Sequence, residues 1–254
     1  MRKLLLLFVL VFATLAVAAS LYAEDPTPAP SAVVAAAAAP AQAPSAVAAG
    51  SADDEKYWTF EAFTGSAYQF HTPLHIAQDD QPVIKINARY ATKPFYEALY
   101  YDWRFAKWKG NRAKEIEFIH HKLYLINTTS EVEQFDITHG YNLLYYNQAR
   151  KVGDWIHHVG GGIVITHPEN IVRGLRLETG GVKGLSNNLS KGGYHLSGVT
   201  AQYAIGRQFP VAGRLFATVE GKITVSYARV PVVDGHANVP NVALHGIFGL
   251  GYRF

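Results

Sequence analysis

One histidine and one serine of this chain are spaced for nucleophilic chemistry. The segment GGYHLSGVTAQYAIG places His195 and Ser197 two residues apart in a stretch that alternates like a β-strand. Side chains two apart share one face of a strand, and a histidine that reaches a serine hydroxyl can activate it. Glu178 and Glu220, on neighbouring strands, are the candidates for a supporting acid. The pattern predicts either a hydrolase site or ordinary polar residues at a strand end.

The eleven histidines do not show the spacing of a metal site. His120 and His121 are adjacent, as are His157 and His158, so in a strand the members of each pair point to opposite faces. The sequence contains no HExxH, calcium-loop or Walker pattern. We therefore expect no metal and no cofactor, with the histidines in interfacial or interior positions.

A second set of acids and histidine lies in loop-like segments. Asp234 and His236 are two residues apart in VVDGHANVP, and Asp79 with Asp80 in an earlier loop is the only obvious acidic pair that could face them. This set is an alternative, protease-like site. An Asp-Gly step in a polar loop is more simply explained as a turn.

The amino-terminal region predicts export. Residues 1–23 combine a basic start, an apolar run of about 15 residues and small residues at its end, which indicates a cleaved signal peptide; the run is short for an inner-membrane anchor. Residues 24–56 are rich in Ala and Pro, which predicts a disordered periplasmic linker. The chain has no cysteine, which excludes disulfides and thiolate ligands. Its formal charge of +3 includes two bases of the signal, and the remainder is too small to indicate a nucleic-acid partner.

Residues 57–254 read as short β-rich segments, and no apolar stretch there is long enough for a membrane helix. If this part spans a membrane, it must do so as a closed barrel, because backbone polar groups have to be paired inside hydrocarbon. The predicted fold class is all-β: an antiparallel transmembrane β-barrel of about ten strands, or eight if two weak segments fail. The ten segments are 57–70, 82–93, 97–108, 114–126, 133–146, 155–167, 171–179, 194–207, 214–228 and 241–254.

With ten strands, the connections sort into short periplasmic turns and longer outer loops. The periplasmic group would contain Pro94, NTTS, HPEN and QFPVAG, and the outer group would contain KGNRA, QARKVGD and three longer loops. The outer loops carry bases that could pair with lipid phosphates. These bases are Lys183, Lys191, Arg150 and Lys151.

Alternation along the strands assigns their faces. Apolar positions of two strands are predicted to face lipid: Leu99, Tyr101, Trp103 and Phe105, then Leu215, Val219, Ile223, Val225 and Tyr227. Charged side chains are costly against hydrocarbon, so they should point into the lumen and form a paired network that fills a narrow barrel. The expected network is Lys85, Arg89, Asp102, Arg104, Glu115, Glu117, Asp136, Glu220, Lys222, His245 and Arg253.

The closing segment HGIFGLGYRF alternates most clearly. One face is apolar: Phe248, Leu250, Tyr252 and Phe254. Together with the export signal, this segment resembles the carboxyl ends of Gram-negative outer-membrane β-barrels, a resemblance that covers residues 57–254. In that family a terminal phenylalanine after alternating apolar residues is similar to the signal read by the barrel assembly machinery. The resemblance implies that role for these four residues and a location in the bacterial outer membrane.

Two local resemblances concern activity. His195 and Ser197 resemble the His-x-Ser element of outer-membrane lipid A 3-O-deacylases, although the asparagine that follows the serine there is Gly198 here. That resemblance implies attack of Ser197 on an acyl ester, with His195 relaying the proton. Asp234 and His236 resemble the Asp-x-His pair of omptin proteases, which are ten-stranded barrels.

The sequence therefore predicts an outer-membrane barrel with a largely filled polar lumen that acts at the outer surface or the lipopolysaccharide interface without catalysis. A lipid A deacylase is the main alternative. A small-solute channel and an omptin-like protease are the others. The expected partners are outer-membrane lipid, lipopolysaccharide and the barrel assembly machinery, with no nucleic acid and an open oligomeric state.

Overall fold

The computed structural model describes residues 55–97, 99–177 and 193–254. Within these three ranges no helix is long and apolar enough to cross a membrane. Several features named above lie outside the described residues: the signal peptide at 1–23, the linker at 24–56 apart from its last two residues, Glu178, Lys183 and Lys191.

The described residues form thirteen strands, since alternating β-branched and aromatic residues favour extended backbone. In chain order the strands are β1 (Lys56–Gln69), β2 (Thr72–Gln78), β3 (Ile84–Ala88), β4 (Tyr90–Ala91), β5 (Tyr101–Lys109), β6 (Arg112–Leu125), β7 (Val132–Val152), β8 (Trp155–Thr166), β9 (Glu169–Val172), β10 (Leu175–Arg176), β11 (His195–Ala212), β12 (Leu215–Val232) and β13 (Gly235–Arg253).

Eight of these strands close into an antiparallel ring. The order β1, β5, β6, β7, β8, β11, β12, β13 returns to β1, because β1 pairs with both β5 and β13. Every neighbouring pair in the ring is antiparallel. Closure leaves the ring without an edge strand. The predicted all-β antiparallel barrel is confirmed, and the described residues give the lower of the two strand numbers.

The barrel has two unlike ends. Where β1 begins and β13 stops, successive strands are joined by two-residue turns at 110–111, 153–154 and 213–214. Their first residues, Gly110 and Gly153 among them, have φ between 55° and 59°, a conformation that glycine adopts without steric cost. We call this the terminal end. The opposite end, where the connections carry β2, β3, β4, β9 and β10, is the loop end.

Two of the segments counted as spanning strands lie outside the ring. Segment 82–93 forms β3 and β4, which pair with β2 and β6. The described part of segment 171–179 contains the end of β9 and all of β10, which form a hairpin attached to β7. The apolar side chains of segment 82–93 pack against protein and do not face lipid. Ile84 and Ile86 of β3 are buried in a core at the loop end, so their alternation came from a local hairpin that covers this core.

The strand number also decides where the connections lie. Because segment 82–93 does not cross the barrel, each later strand runs in the direction opposite to the predicted one. Segment 171–179 does not cross either, so the strands after it again run in the predicted direction. Pro94, NTTS and HPEN, which were predicted to be periplasmic turns, therefore lie at the loop end. KGNRA and QARKVGD, predicted to be outer loops, are turns of the terminal end that contain Gly110 and Gly153.

Inward side chains form three layers inside the ring. A small apolar layer, which includes Trp108 and Ile156, lies next to the terminal end. The middle layer is charged. The loop-end layer is a large apolar core that includes Phe63, Phe135 and Tyr141. The interior charges are thus concentrated in the middle layer, while neutral polar side chains such as Gln69, Asn241 and His245 are also buried in the loop-end layer.

Candidate functional site

Arg104 is the centre of the buried charged layer. The β5 strand points its guanidinium inward, where it makes a bidentate pair with Glu220 of β12 at 2.6 and 2.9 Å. The same group donates to Glu117 at 2.8 Å and lies 3.8 Å from both Glu61 and Glu115. Bidentate arginine–carboxylate pairs combine a strong charge-assisted contact with a defined geometry. One cation therefore organises four carboxylates from three strands.

Lys222 is the second cation of this layer and stands on β12, two residues after Glu220. Its Nζ donates to Asp102 Oδ2 at 2.7 Å and to Glu117, and it lies 3.4 Å from Glu220. Its side chain is completely buried, as is that of Asp102. A buried ammonium is tolerated only when carboxylates pair with it, which this arrangement provides.

Five carboxylates face Arg104 and Lys222 in the layer, and further donors compensate for the difference. His158 lies between Glu115 and Glu220, with ring nitrogens 2.8 and 3.3 Å from their oxygens. Asn147 donates to Glu117 at 2.6 Å. Further hydrogen bonds come from two neutral side chains, Thr218 to Glu61 and Gln202 to Glu117. We call this layer the charged plug; its contacts join seven of the eight strands of the ring.

The structure brings six of the predicted network residues together in this layer: Asp102, Arg104, Glu115, Glu117, Glu220 and Lys222. His245 is also interior, closer to the loop end, and contacts the hydroxyl of Tyr100 at 2.7 Å. Arg253 lies at the terminal rim, where it pairs with Glu55 and stacks over Tyr57.

Three residues of the predicted network are elsewhere. Lys85 and Arg89 belong to the β3 region of the loop end and are exposed. Asp136 lies on β7 beyond the ring, paired in register with Glu169 of β9. Lys85 and Arg89 were expected in the lumen because segment 82–93 was interpreted as a spanning strand. Asp136 was expected there because it is charged, although it has the same parity as the outward Tyr146 of β7.

Sequence reasoning missed two members of the charged layer. Glu61 is a buried position of β1 between two outward residues. His158 is two residues after the buried Ile156 on β8 and therefore points to the same inward face. Both obey the inward alternation that identified the others. The omission arose because His158 was considered only as a member of an adjacent histidine pair, and Glu61 was not assigned to a face.

The proposed hydrolase residues are not assembled into a triad. Ser197 Oγ is 2.5 Å from Thr166 Oγ1 and donates to the carbonyl of His195 at 3.1 Å. Among the described residues, no hydrogen bond joins the His195 ring to this hydroxyl, and His195 Nδ1 has no partner. Glu220 faces Gly206 in register, nine residues along β11 from Ser197 and thus about 30 Å away. Of the two candidate acids, Glu220 is therefore in the charged plug, and Glu178 lies outside the described residues.

The alternative acidic set is assembled at one edge of the loop end. β2 pairs with β13, so that His236 faces Ala77 and the amide of Asp79 donates to the carbonyl of Asp234 at 2.8 Å. Asp80 and Asp234 have φ of 58° and 54° and occupy turn positions. His236 Nδ1 is 3.1 Å from an Arg229 nitrogen. The three aspartates are exposed on two adjoining turns, which is the geometry of hairpin ends.

A cluster of potential metal ligands lies at the loop end, where the sequence predicted none. His139 of β7, Glu169 of β9 and His167 between β8 and β9 place their ligand atoms within 4.8 Å of one another. His139 Nδ1 is 2.8 Å from Glu169 Oε1, and the two imidazole rings are 5.1 Å apart. Burial, together with the neighbouring His139, lowers the pKa of His167. We call these three residues the loop-end cluster.

The outer wall of the ring is apolar over its central zone. Outward side chains are exposed large hydrophobics from most strands, including Phe105, Ile116, Tyr146, Val159, Tyr203, Val219, Ile223, Val225, Leu244 and Phe248. Of the predicted outward residues, Tyr101, Trp103 and Phe105 of β5 and all five of β12 are on this face, whereas Leu99 precedes β5. Phe248, Leu250 and Tyr252 also lie on the outer face of β13, and Phe254 follows its last residue. The role of these four residues as an assembly signal stays a prediction.

A zone of positive charge borders this apolar wall at the terminal end. In register, Lys56 faces Lys109, Lys109 faces Arg112 and Arg112 faces Arg150, so one row of outward positions is basic across four strands. The adjacent row contains Lys107 opposite Lys114. All six bases are exposed and share the outer face of the ring: Lys56, Lys107, Lys109, Arg112, Lys114 and Arg150. We call them the basic wall.

Comparison with known proteins gives only a distant likeness in fold. No protein-family model and no curated protein matches the chain. Among solved structures, it is similar to Ail, the attachment invasion locus protein of Yersinia pestis, with 10% identity, a TM-score of 0.34, and coverage of 80% of this chain and 99% of that one. It is also similar to the outer membrane protein AlkL, with 11% identity, a TM-score of 0.41, and coverage of 84% of this chain and 96% of that one. For Neisserial surface protein A the identity is 7%, the TM-score is 0.36, and the coverage is 78% of this chain and 97% of that one. At these values the likeness carries no argument about function.

Proposed function

We propose that this protein is an integral β-barrel of the bacterial outer membrane that acts at the membrane interface without catalysis. The observation that carries the proposal is the closed ring with an apolar outer wall and a charged interior. In water, a continuous apolar wall of this extent would be an aggregation hazard. In hydrocarbon it is favourable, because closure pairs the backbone groups of every strand.

The orientation follows from the unequal ends of the barrel. Outer-membrane barrels have short periplasmic turns and longer extracellular connections. The three two-residue turns of the terminal end support a periplasmic location for that end, where the 24–56 linker would join β1. The loop end, with its attached hairpins, would face the outside.

The proposed partners are lipids on both sides. At the terminal end, the basic wall lies where phosphate head groups of the periplasmic leaflet meet the hydrocarbon. At the loop end, Lys85, Arg89 and Arg229 are exposed and suit the phosphates of lipopolysaccharide. The charged plug supports a role without conduction, since Arg104 and Lys222 bridge carboxylates of several strands across the interior.

The orientation can be tested with inserted epitopes. One variant carries a short tag in the 233–234 turn of the loop end, and the other carries the same tag in the 153–154 turn of the terminal end. We expect antibodies to label intact cells that express the first variant only, and both variants after permeabilisation. Recovery of the untagged chain in the soluble periplasmic fraction would disprove the membrane location.

A small-solute channel is distinguished by conductance. The purified barrel in planar bilayers should give no stable single-channel current, because the plug and the loop-end core fill the described interior. Steady currents that persist after repurification would replace the closed-barrel proposal with a channel.

A further inference from the structure

The loop-end cluster has the donor set of a transition-metal site. Two imidazoles and one carboxylate suit Zn²⁺ and related divalent ions, whereas Ca²⁺ and Mg²⁺ prefer oxygen ligands alone. Three protein ligands leave a fourth position for water, as in open zinc sites. His139 lies on β7, whereas His167 and Glu169 are two residues apart at the start of β9, so the fold brings two parts of the chain together.

The distances suit one ion. Two ligand atoms on a tetrahedral zinc are about 3.3 Å apart, given bonds of about 2.0–2.1 Å. The pair His139 Nδ1 and Glu169 Oε1 is at 2.8 Å, and the whole set lies within 4.8 Å. Rotation of exposed side chains can close the difference, since His139 is 55% and Glu169 30% exposed.

A simple ion pair does not account for the cluster. His139 and Glu169 satisfy each other, and Thr138 supports the carboxylate with a hydrogen bond of 3.1 Å. His167, however, is only 9% exposed and its Nδ1 has no hydrogen-bond partner. A buried polar atom without a partner is costly, and a coordinated cation would satisfy it.

The backbone holds the three ligands in place. The amide of His167 donates to the carbonyl of Gly140 at 3.0 Å, next to His139, and Glu169 is in register with Asp136 of β7. Tyr194 covers the His167 ring at 4.9 Å between centroids. The backbone hydrogen bond and the ring contact with Tyr194 restrict the orientation of the His167 side chain.

We propose that the loop-end cluster binds one Zn²⁺ or similar transition-metal ion, with His139, His167 and Glu169 as its protein ligands. The ion ties the β9–β10 hairpin to β7 at the loop end of the barrel. This site does not depend on the membrane location, because it lies beyond the apolar wall and is complete within one chain.

The test uses full-length protein without a histidine tag, folded in detergent micelles and freed of metal with a chelator. Zn²⁺ is titrated in competition with a chromophoric chelator. Glu169→Gln keeps side-chain size, and His139→Asn replaces the imidazole with a smaller neutral polar group; both change the more exposed ligands of the cluster. His157→Asn on β8 is the matched control, because that histidine lies on the outer wall and contacts Tyr203. Heat-modifiable migration in gels verifies that each variant is folded.

We expect one equivalent of Zn²⁺ per chain, at least a tenfold weaker affinity in Glu169→Gln and in His139→Asn, and unchanged affinity in His157→Asn. Mg²⁺ and Ca²⁺ should not compete. X-ray absorption of the zinc-loaded protein should show two imidazole ligands. Absence of stoichiometric binding, or equal loss in the control and the cluster variants, would overturn the proposal.

Discussion

Arg104 is the side chain on which the charged plug depends. Replacing it with alanine would leave Glu220, Glu117 and their neighbours buried without their main cation. Removal of one partner from a buried ion pair costs about 3–5 kcal/mol, so we expect Arg104→Ala to lower the free energy of unfolding by about that amount. Urea titration of the barrel in lipid vesicles, followed by tryptophan fluorescence, measures it.

Two further variants make this result interpretable. Arg104→Lys keeps the charge but loses the bidentate contact with Glu220, so its stability should fall between those of wild type and Arg104→Ala. Arg229→Ala removes an exposed arginine of the loop end and should change stability by less than about 0.5 kcal/mol. If Arg104→Ala is as stable as Arg229→Ala, the plug contributes nothing to folding.

Ser197 should be dispensable for lipid chemistry. Its hydroxyl is hydrogen-bonded to that of Thr166, and the candidate acid Glu220 forms an ion pair with Arg104. We expect the masses of lipid A from cells that express wild type, Ser197→Ala or no barrel to be the same. Loss of one acyl chain that requires Ser197 would revive the deacylase hypothesis and exclude a role without catalysis.

At the scale of elements, neighbouring glycines of β8 make different demands on the barrel wall. A Cβ added at Gly162 would overlap the carbonyl oxygen of Leu144 on β7, whereas one at Gly161 would find its nearest neighbour at 3.9 Å. Gly162→Ala should therefore destabilise the barrel by about 1–3 kcal/mol through overpacking. Gly161→Ala should have little effect.

The same vesicle titration compares these two variants, since they differ by one position and by the face that the methyl group occupies. Equal stability of Gly161→Ala and Gly162→Ala would contradict the close approach of β7 and β8. The heat-modified band in gels reports separately whether each variant has closed its ring.

The hairpins of the loop end show why the sequence predicted two spanning strands too many. Residues of β3 and of β9 alternate as spanning strands do, because a strand that covers a core also has one buried face. Length separates the two cases, since β3 has five residues and β9 four, below the 9–11 that a spanning strand needs. The bounds of these short strands depend on turns at Asp80 and Arg173.

For the whole molecule, the basic wall predicts a dependence on lipid charge. Like charges directly opposite each other on neighbouring strands repel, and here Lys109, Arg112 and Arg150 stand in one row. Anionic head groups would relieve this repulsion. We expect the barrel to be more stable in vesicles that contain phosphatidylglycerol than in phosphatidylcholine alone, with a difference that salt reduces.

The matched variant replaces Lys109, Arg112 and Arg150 with glutamine. It should lose most of the preference for anionic vesicles while keeping its stability in the zwitterionic ones. A triple glutamine substitution at Lys85, Arg89 and Arg229 removes the same charge from the opposite end, so the comparison separates the contribution of the basic wall from that of the loop-end bases. If both triple variants keep the preference, the basic wall does not bind head groups.

The sequence by itself determined the fold class and the facing of most side chains. Alternation is a local property, so the inward positions of Asp102, Arg104, Glu220 and Lys222 could be read without knowing their neighbours. Tertiary structure alone decided which strands close the ring and which distant residues meet. Arg104 pairs with Glu220 although 116 positions separate them in the sequence. His139 meets His167 and Glu169 next to a register shift in β7. Register and closure depend on contacts between remote segments, which no local pattern contains.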